Sequence, residues 1–142
     1  MTSLVWEDRY NTGVEAIDAQ HRKIFDYMTD IYHALADNQQ KCDAFNGMLD
    51  QLELLCQMHF LNEQQMVDDI NYPSVPEHKR LHDLFLTRID LFKIDSKQCH
   101  TPSILNNFTN LREDFITHML NETTLFCDFI NNSTKDSADI SK

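Results

Sequence analysis

Two pairs of residues in this sequence are spaced to grip a metal ion: His59 with Glu63, and His78 with His82. Residues four apart on a helix leave its axis only about 40° apart, so each pair offers two donors from one face, a preformed chelate. His59 keeps register with Leu52, Leu55 and Met66, and His82 with Leu81 and Phe85, so both pairs point with the apolar stripe toward a core. His21, three and four residues before Ile24 and Phe25, and His118, three after Phe115, face inward in the same way. Five inward imidazoles and an inward carboxylate are costly to bury unless paired. Hydrogen bonds alone would need many specific partners, whereas one metal centre satisfies all six groups together. Imidazole with a bridging carboxylate suits iron, manganese or zinc, and geometry does not separate them.

Four helices must carry these groups. Apolar residues recur at three and four from Asp18 through Ile24, Phe25, Met28, Ile31, Tyr32 and Leu35, predicting a first helix that ends near Asp37-Asn38. A second runs from about Cys42 through Phe45, Leu49, Leu52, Cys56 and Phe60 to Met66. Asn71-Tyr72-Pro73-Ser74-Val75-Pro76 breaks the chain, and Pro76 suits the first turn of a third helix that reaches about Phe92. Thr101-Pro102 opens a fourth, through Leu105, Phe108, Leu111, Phe115 and Met119 to Phe129. Before them, Trp6 and Tyr10 mark an ordered arm. The expectation is an all-α, up-down-up-down four-helix bundle over residues 1–131, followed by a polar tail, frayed or a linker, over 132–142.

Composition narrows the function. With 142 residues the chain forms one domain with its own core. A net charge of −11, from 23 acidic against 12 basic residues, argues against nucleic acid and anionic membrane surfaces as partners. No apolar run reaches the roughly 18 residues needed to span a bilayer. Four cysteines, Cys42, Cys56, Cys99 and Cys127, form no CxxC pair, and no secretory signal is evident; they read as thiols in a cytoplasmic protein.

The run from Trp6 to Tyr10, then Thr12-Gly13-Val14, Ile17-Asp18 and Gln20-His21, followed by the HxxxE, the HxxxH and a late histidine, closely resembles the bacterial hemerythrins over residues 4 to about 130. The resemblance implies a centre of two iron ions joined by an oxo or hydroxo bridge. It implies His21 and His59 as ligands of one iron, His78, His82 and His118 as ligands of the other, and Glu63 as a bridge. The first iron, one ligand short, is then where dioxygen binds as a hydroperoxide. Ile24, Phe25, Leu55, Cys56, Phe60, Phe115 and Met119 lie within about a turn of a ligand and would keep that position dry.

One position departs from the family pattern. The family places a second bridging Asp five residues after the late histidine, where this chain has Thr123. Glu122, one residue earlier and with the His59-to-Glu63 spacing, is the expected substitute, and Asp114 a weaker one. His33 and His100 fall off the metal face. Asp18 suits a helix cap, with a hydrogen bond near His21 as the lesser role.

The resemblance implies a binding protein that takes up dioxygen reversibly, as carrier, store or sensor, rather than an enzyme. Di-iron oxidases of this architecture carry four carboxylates and two histidines, the opposite balance. The alternatives are a redox or nitric oxide sensor domain signalling to a separate or fused partner, an iron store, and a di-iron enzyme acting on peroxide or nitric oxide.

Overall fold

A computed structural model describes residues 5–37, 42–73, 75–95, 97 and 102–140, with the side chains of residues 43, 75, 122 and 133–140 outside that description. Helices α1 (Glu15–Asp37), α2 (Cys42–Asp69), α3 (Val75–Asp95) and α4 (Ile104–His118) follow in order, and α4 continues through a π-helical turn, Met119–Thr123, into α5 (Thr124–Ile140). No strand occurs among the described residues. Each helix packs on its neighbour in the chain, and α4 closes against α1, completing the four-helix bundle expected from the sequence.

Local chemistry sets the boundaries. Asn71 adopts φ 57°, and Tyr72 N–H reaches back to the Val67 carbonyl at 3.0 Å, so α2 ends in a left-handed turn that Asn tolerates. Pro76 sits in the first turn of α3. At the start of α1, the Asp18 carboxylate accepts from Thr12 N–H at 2.8 Å, Thr12 Oγ1 at 2.7 Å and Gly13 N–H at 3.2 Å. Gly13 at φ 91° supplies the bend that a side chain would strain. Asp18 therefore faces the arm rather than His21.

The arm is packed as expected. Trp6, Tyr10 and Phe25 meet with ring centroids 5.3 to 5.7 Å apart, and the Arg22 guanidinium lies 5.7 Å from the Trp6 ring. At the other end α5 runs on to Ile140, beyond the expected boundary at Asn131; no Gly or Pro interrupts it. Cys56 and Cys127 are free and buried, but Cys42 is disulfide-bonded, which corrects the reading of every cysteine as a thiol. Spacing along a chain does not reveal which residues meet in space. No helix among the described residues is long and apolar enough to cross a membrane.

Two apolar clusters fill the bundle. The larger includes Ile24, Phe25, Met28, Leu52, Cys56, Phe108 and Phe115, and the smaller joins Ile17, Val67, Phe126 and Cys127. The histidines lie between them: His21 between Ile17 and Ile24, His59 and Glu63 between Cys56 and Val67, His118 between Phe115 and Phe126.

Candidate metal centre

The six residues singled out by spacing converge. His21 comes from α1, His59 and Glu63 from α2, His78 and His82 from α3, and His118 from the end of α4, and all six are buried. One ligand atom from each of His21, His59, Glu63 and His118 lies within 4.8 Å of the others, and the same holds for Glu63, His78 and His82. Glu63 belongs to both groups. Its Oε2 lies 2.5 Å from His59 Nε2, 3.6 Å from His118 Nε2 and 4.0 Å from His82 Nε2, while its Oε1 lies 3.6 Å from His78 Nε2. His118 therefore sits with His21 and His59 in donor spacing, although its ring also approaches His82, centroid to centroid 5.1 Å.

Most of these atoms satisfy nothing in the protein. Both nitrogens of His21 and of His78, Nε2 of His59 and of His82, and Oε2 of Glu63 are buried without a hydrogen-bond partner. An unpaired buried polar atom costs about 1–3 kcal/mol, so seven together rival the 5–15 kcal/mol stability of a typical domain. Each ring can present one nitrogen to a cation, so cations inserted among them would engage five of the seven, one from each of His21, His59, Glu63, His78 and His82, and the donor set, imidazole and carboxylate, is one that divalent transition metals take. The residues fit a metal centre.

Electrostatics point the same way. Burial holds the His21 imidazole well below its ordinary titration range, with the neighbouring His59 adding to that, and burial brings His82 down to about 2. Both rings are neutral, the form that ligates. Burial pushes the Glu63 carboxyl up, but the imidazoles of His118, His59 and His78 more than offset this and hold it well below the ordinary range. Glu63 is thus an anion with no exposure, ringed by imidazoles.

The surroundings are largely aromatic. Phe60 stacks on His82 at 4.1 Å, Phe115 lies 5.9 Å from His21, and Tyr72 and Phe126 flank His78 at 6.2 and 5.6 Å. Phe60 and Phe115 are among the residues expected to enclose the centre. Sequence reasoning missed Tyr72 and Phe126, which reach His78 from the turn after α2 and from α5. It also missed Gln20, whose Oε1 lies 2.7 Å from His59 Nδ1. Their only signal was proximity in sequence to other motif residues.

Thr123 holds the position where the family pattern has an acid. It is fully buried, with Oγ1 3.2 Å from His118 Nε2 and 3.4 Å from Glu63 Oε1. The π turn explains its direction: with i→i+5 bonding, the residue five after His118 comes round onto the same face. Thr124 Oγ1 stabilises that turn by donating to the Met119 carbonyl at 3.1 Å. The Glu122 side chain lies outside the described residues. Asp114 is directed elsewhere and pairs with Arg88 across α3 and α4 at 3.0 Å. His33 is exposed on α1, and His100 lies outside the described residues.

A cavity of about 240 Å³ between α3 and α4 leads from the surface to the cluster. Leu81, Leu84, Phe85, Arg88, Asp114 and His118 are among its walls.

Residues 12–129 match the Hemerythrin HHE cation binding domain. The chain is 30% identical over 94 residues to a bacteriohemerythrin of Stenotrophomonas maltophilia and 29% identical over 94 to one of Pseudomonas aeruginosa; each alignment covers 66% of this chain. It spans 60% of the length of those two proteins. It is 34% identical over 97 residues to hemerythrin subunit 1 of Golfingia vulgaris, covering 68% of this chain and 77% of that protein. With a match that takes in most of its residues, the chain belongs to the hemerythrin family.

Proposed function

We propose that this protein binds dioxygen reversibly at a centre of two iron ions, as a carrier, store or sensor of oxygen. His21, His59, Glu63, His78, His82 and His118 are the proposed ligands. The observation that carries this reading is the set of seven buried, unpartnered side-chain atoms on five residues of three helices, His21, His59, Glu63, His78 and His82, with buried His118 joining them from a fourth. Iron held there would supply the electrons that reduce bound dioxygen and take them back on release.

The chain's own residues govern the rest. Five imidazoles with a single assigned carboxylate give a nitrogen-rich donor set, which favours binding over oxidative turnover. Phe60, Phe115 and Met119 exclude water, so few protons reach the centre to discharge bound oxygen as peroxide. Glu122 remains a separate candidate for a second carboxylate, and the iron content of Glu122→Gln tests it.

The test of function is direct. Iron-loaded protein is reduced under argon, exposed to dioxygen and then swept with inert gas. A visible charge-transfer band that appears with oxygen and leaves with it is the expected result. Bleaching with release of peroxide, or repeated turnover with a reductant, would replace the binding reading with an enzymatic one acting on peroxide or nitric oxide.

A further inference from the structure

α2 has a second face that no other described element covers. Gly47, Gln51, Leu54, Met58, Leu61 and Gln65 follow one another at intervals of four and three, and all six are exposed, Leu54 to 48%, Met58 to 56% and Leu61 to 71%. That alternation draws a single stripe along a helix, the spacing of a seam that packs against another helix. His59 and Glu63 leave α2 on the opposite side, into the core.

Charge sets this stripe apart. The chain carries a net −11, and exposed positions on α1 and α3 include Arg22, Lys23, Asp26, Asp83, Arg88 and Asp90. Between Gln51 and Gln65 every exposed residue of α2 is uncharged. On α3, Leu84, Leu91 and Ile94 are also exposed, but Arg88 and Asp90 sit among them. Two acidic copies of the chain repel wherever their acids meet, and along this length of α2 no exposed acid is present to do so. Gly47 adds a separate observation. Glycine is a poorer helix former than alanine, and no atom lies within 4 Å of where its Cβ would stand. The chain itself makes no use of that missing side chain, whereas a second helix crossing closely would.

We propose that α2 is a self-association surface, on which a second copy of this chain packs its own α2 in antiparallel sense. A twofold register sets Leu54 against Met58, Gln51 against Leu61 and Gly47 against Gln65, each pair formed twice, so the smallest residue receives a long one and the helix dipoles oppose. Leu55, Met58 and Asn62 also wall a cavity of about 200 Å³ that reaches His59 between α1 and α2, and the second copy covers its mouth. The stripe is about 27 Å long. One helix pair of that length buries less than the roughly 1,600 Å² of a standard interface, so the dimer is weak and reversible. The interface does not depend on the reading of the core histidines as metal ligands.

Sedimentation equilibrium of the full chain from about 10 μM to about 1 mM, the span in which weak interfaces associate, is the test. A monomer–dimer equilibrium is expected, and it should tighten several-fold as salt is raised, because screening removes the repulsion between two acidic chains. Leu61→Glu should weaken it by at least about 10-fold, whereas Leu91→Glu on α3 leaves it unchanged; circular dichroism establishes that both variants are folded. Gln51→Cys mixed with Leu61→Cys should cross-link through a disulfide under diamide. Leu61→Cys alone should not, because in antiparallel register its two copies stand about 15 Å apart. A chain that stays monomeric throughout overturns the proposal and gives the face to an unlike partner. Dimers that survive Leu61→Glu, that vanish in Leu91→Glu or that dissociate as salt rises overturn it too. Cross-linking of Leu61→Cys with itself overturns the antiparallel packing.

Discussion

Gln20 Oε1 lies 2.7 Å from Nδ1 of His59, so an amide on α1 orients an imidazole on α2. The carbonyl accepts from Nδ1–H and leaves the Nε2 lone pair facing Glu63 and the cluster. Gln20→Ala should weaken metal binding by about 10- to 100-fold, while the unfolding midpoint of the metal-free chain shifts only by the loss of one partly buried hydrogen bond. Gln20→Glu, which accepts more strongly, should restore affinity. A chelator competition assay measures both, and an unchanged constant in Gln20→Ala would remove the amide from this role.

The two unpartnered nitrogens of His21, at zero exposure, make a second prediction. His21→Leu replaces a ring that satisfies nothing with an apolar side chain that suits the neighbouring Ile17 and Ile24. Without metal the variant should be more stable by about 1–3 kcal/mol, yet bind metal poorly. Urea unfolding of both metal-free proteins decides it, and a destabilised variant would show that His21 is satisfied in some other way.

Acid should weaken the metal-free fold early. Burial depresses His21 and His82 below the ordinary imidazole value of 6.5, His82 to about 2. Below pH 6.5 the unfolded chain takes up protons that the folded chain refuses, so stability is intact above that value and falls as pH drops toward 2. Each such ring contributes a slope of about 1.4 kcal/mol per pH unit. Glu63, held down by its imidazoles, adds a further loss below pH 4.5. Urea midpoints between pH 7 and 5 should fall steeply; a flat profile would mean that the unfolded and folded states bind the same number of protons.

The cavity between α3 and α4 offers small ligands a path to His118. Leu84 on its wall is 40% exposed and can be enlarged without disturbing the core. Leu84→Trp should slow association and dissociation of a small ligand together, leaving the equilibrium constant nearly unchanged. Stopped-flow mixing reads both rates. Equal rates in variant and parent would put the traffic on another route, such as the cavity lined by Gln20, Leu55, Met58 and His59 between α1 and α2.

Much of this was legible in the sequence because the relevant information is local. Helical periodicity identified the four helices, and the same periodicity aimed His21, His59, Glu63, His78, His82 and His118 inward, where the structure has them. What escaped depends on contacts between helices or on helix phase. Gln20 meets His59 across 39 positions of sequence. Tyr72 and Phe126 reach His78 from two other segments. The expectation for Glu122 assumed α-helical phase after His118, and the π turn brings Thr123 against Glu63. Asp18 turned toward Thr12 and Gly13 rather than the metal face because the arm folds back over the start of α1.

That bulge also makes the last helix a counting device. Winding the same residues between His118 and Thr124 as ordinary α-helix would swing everything downstream by roughly 100°. Phe126 and Cys127 would then leave the smaller apolar cluster, and Leu125 and Asp128, now in water, would trade places with them. A single insertion there should therefore damage packing and ligation at once, while a single deletion, which lets ordinary winding resume, keeps the downstream helix in phase.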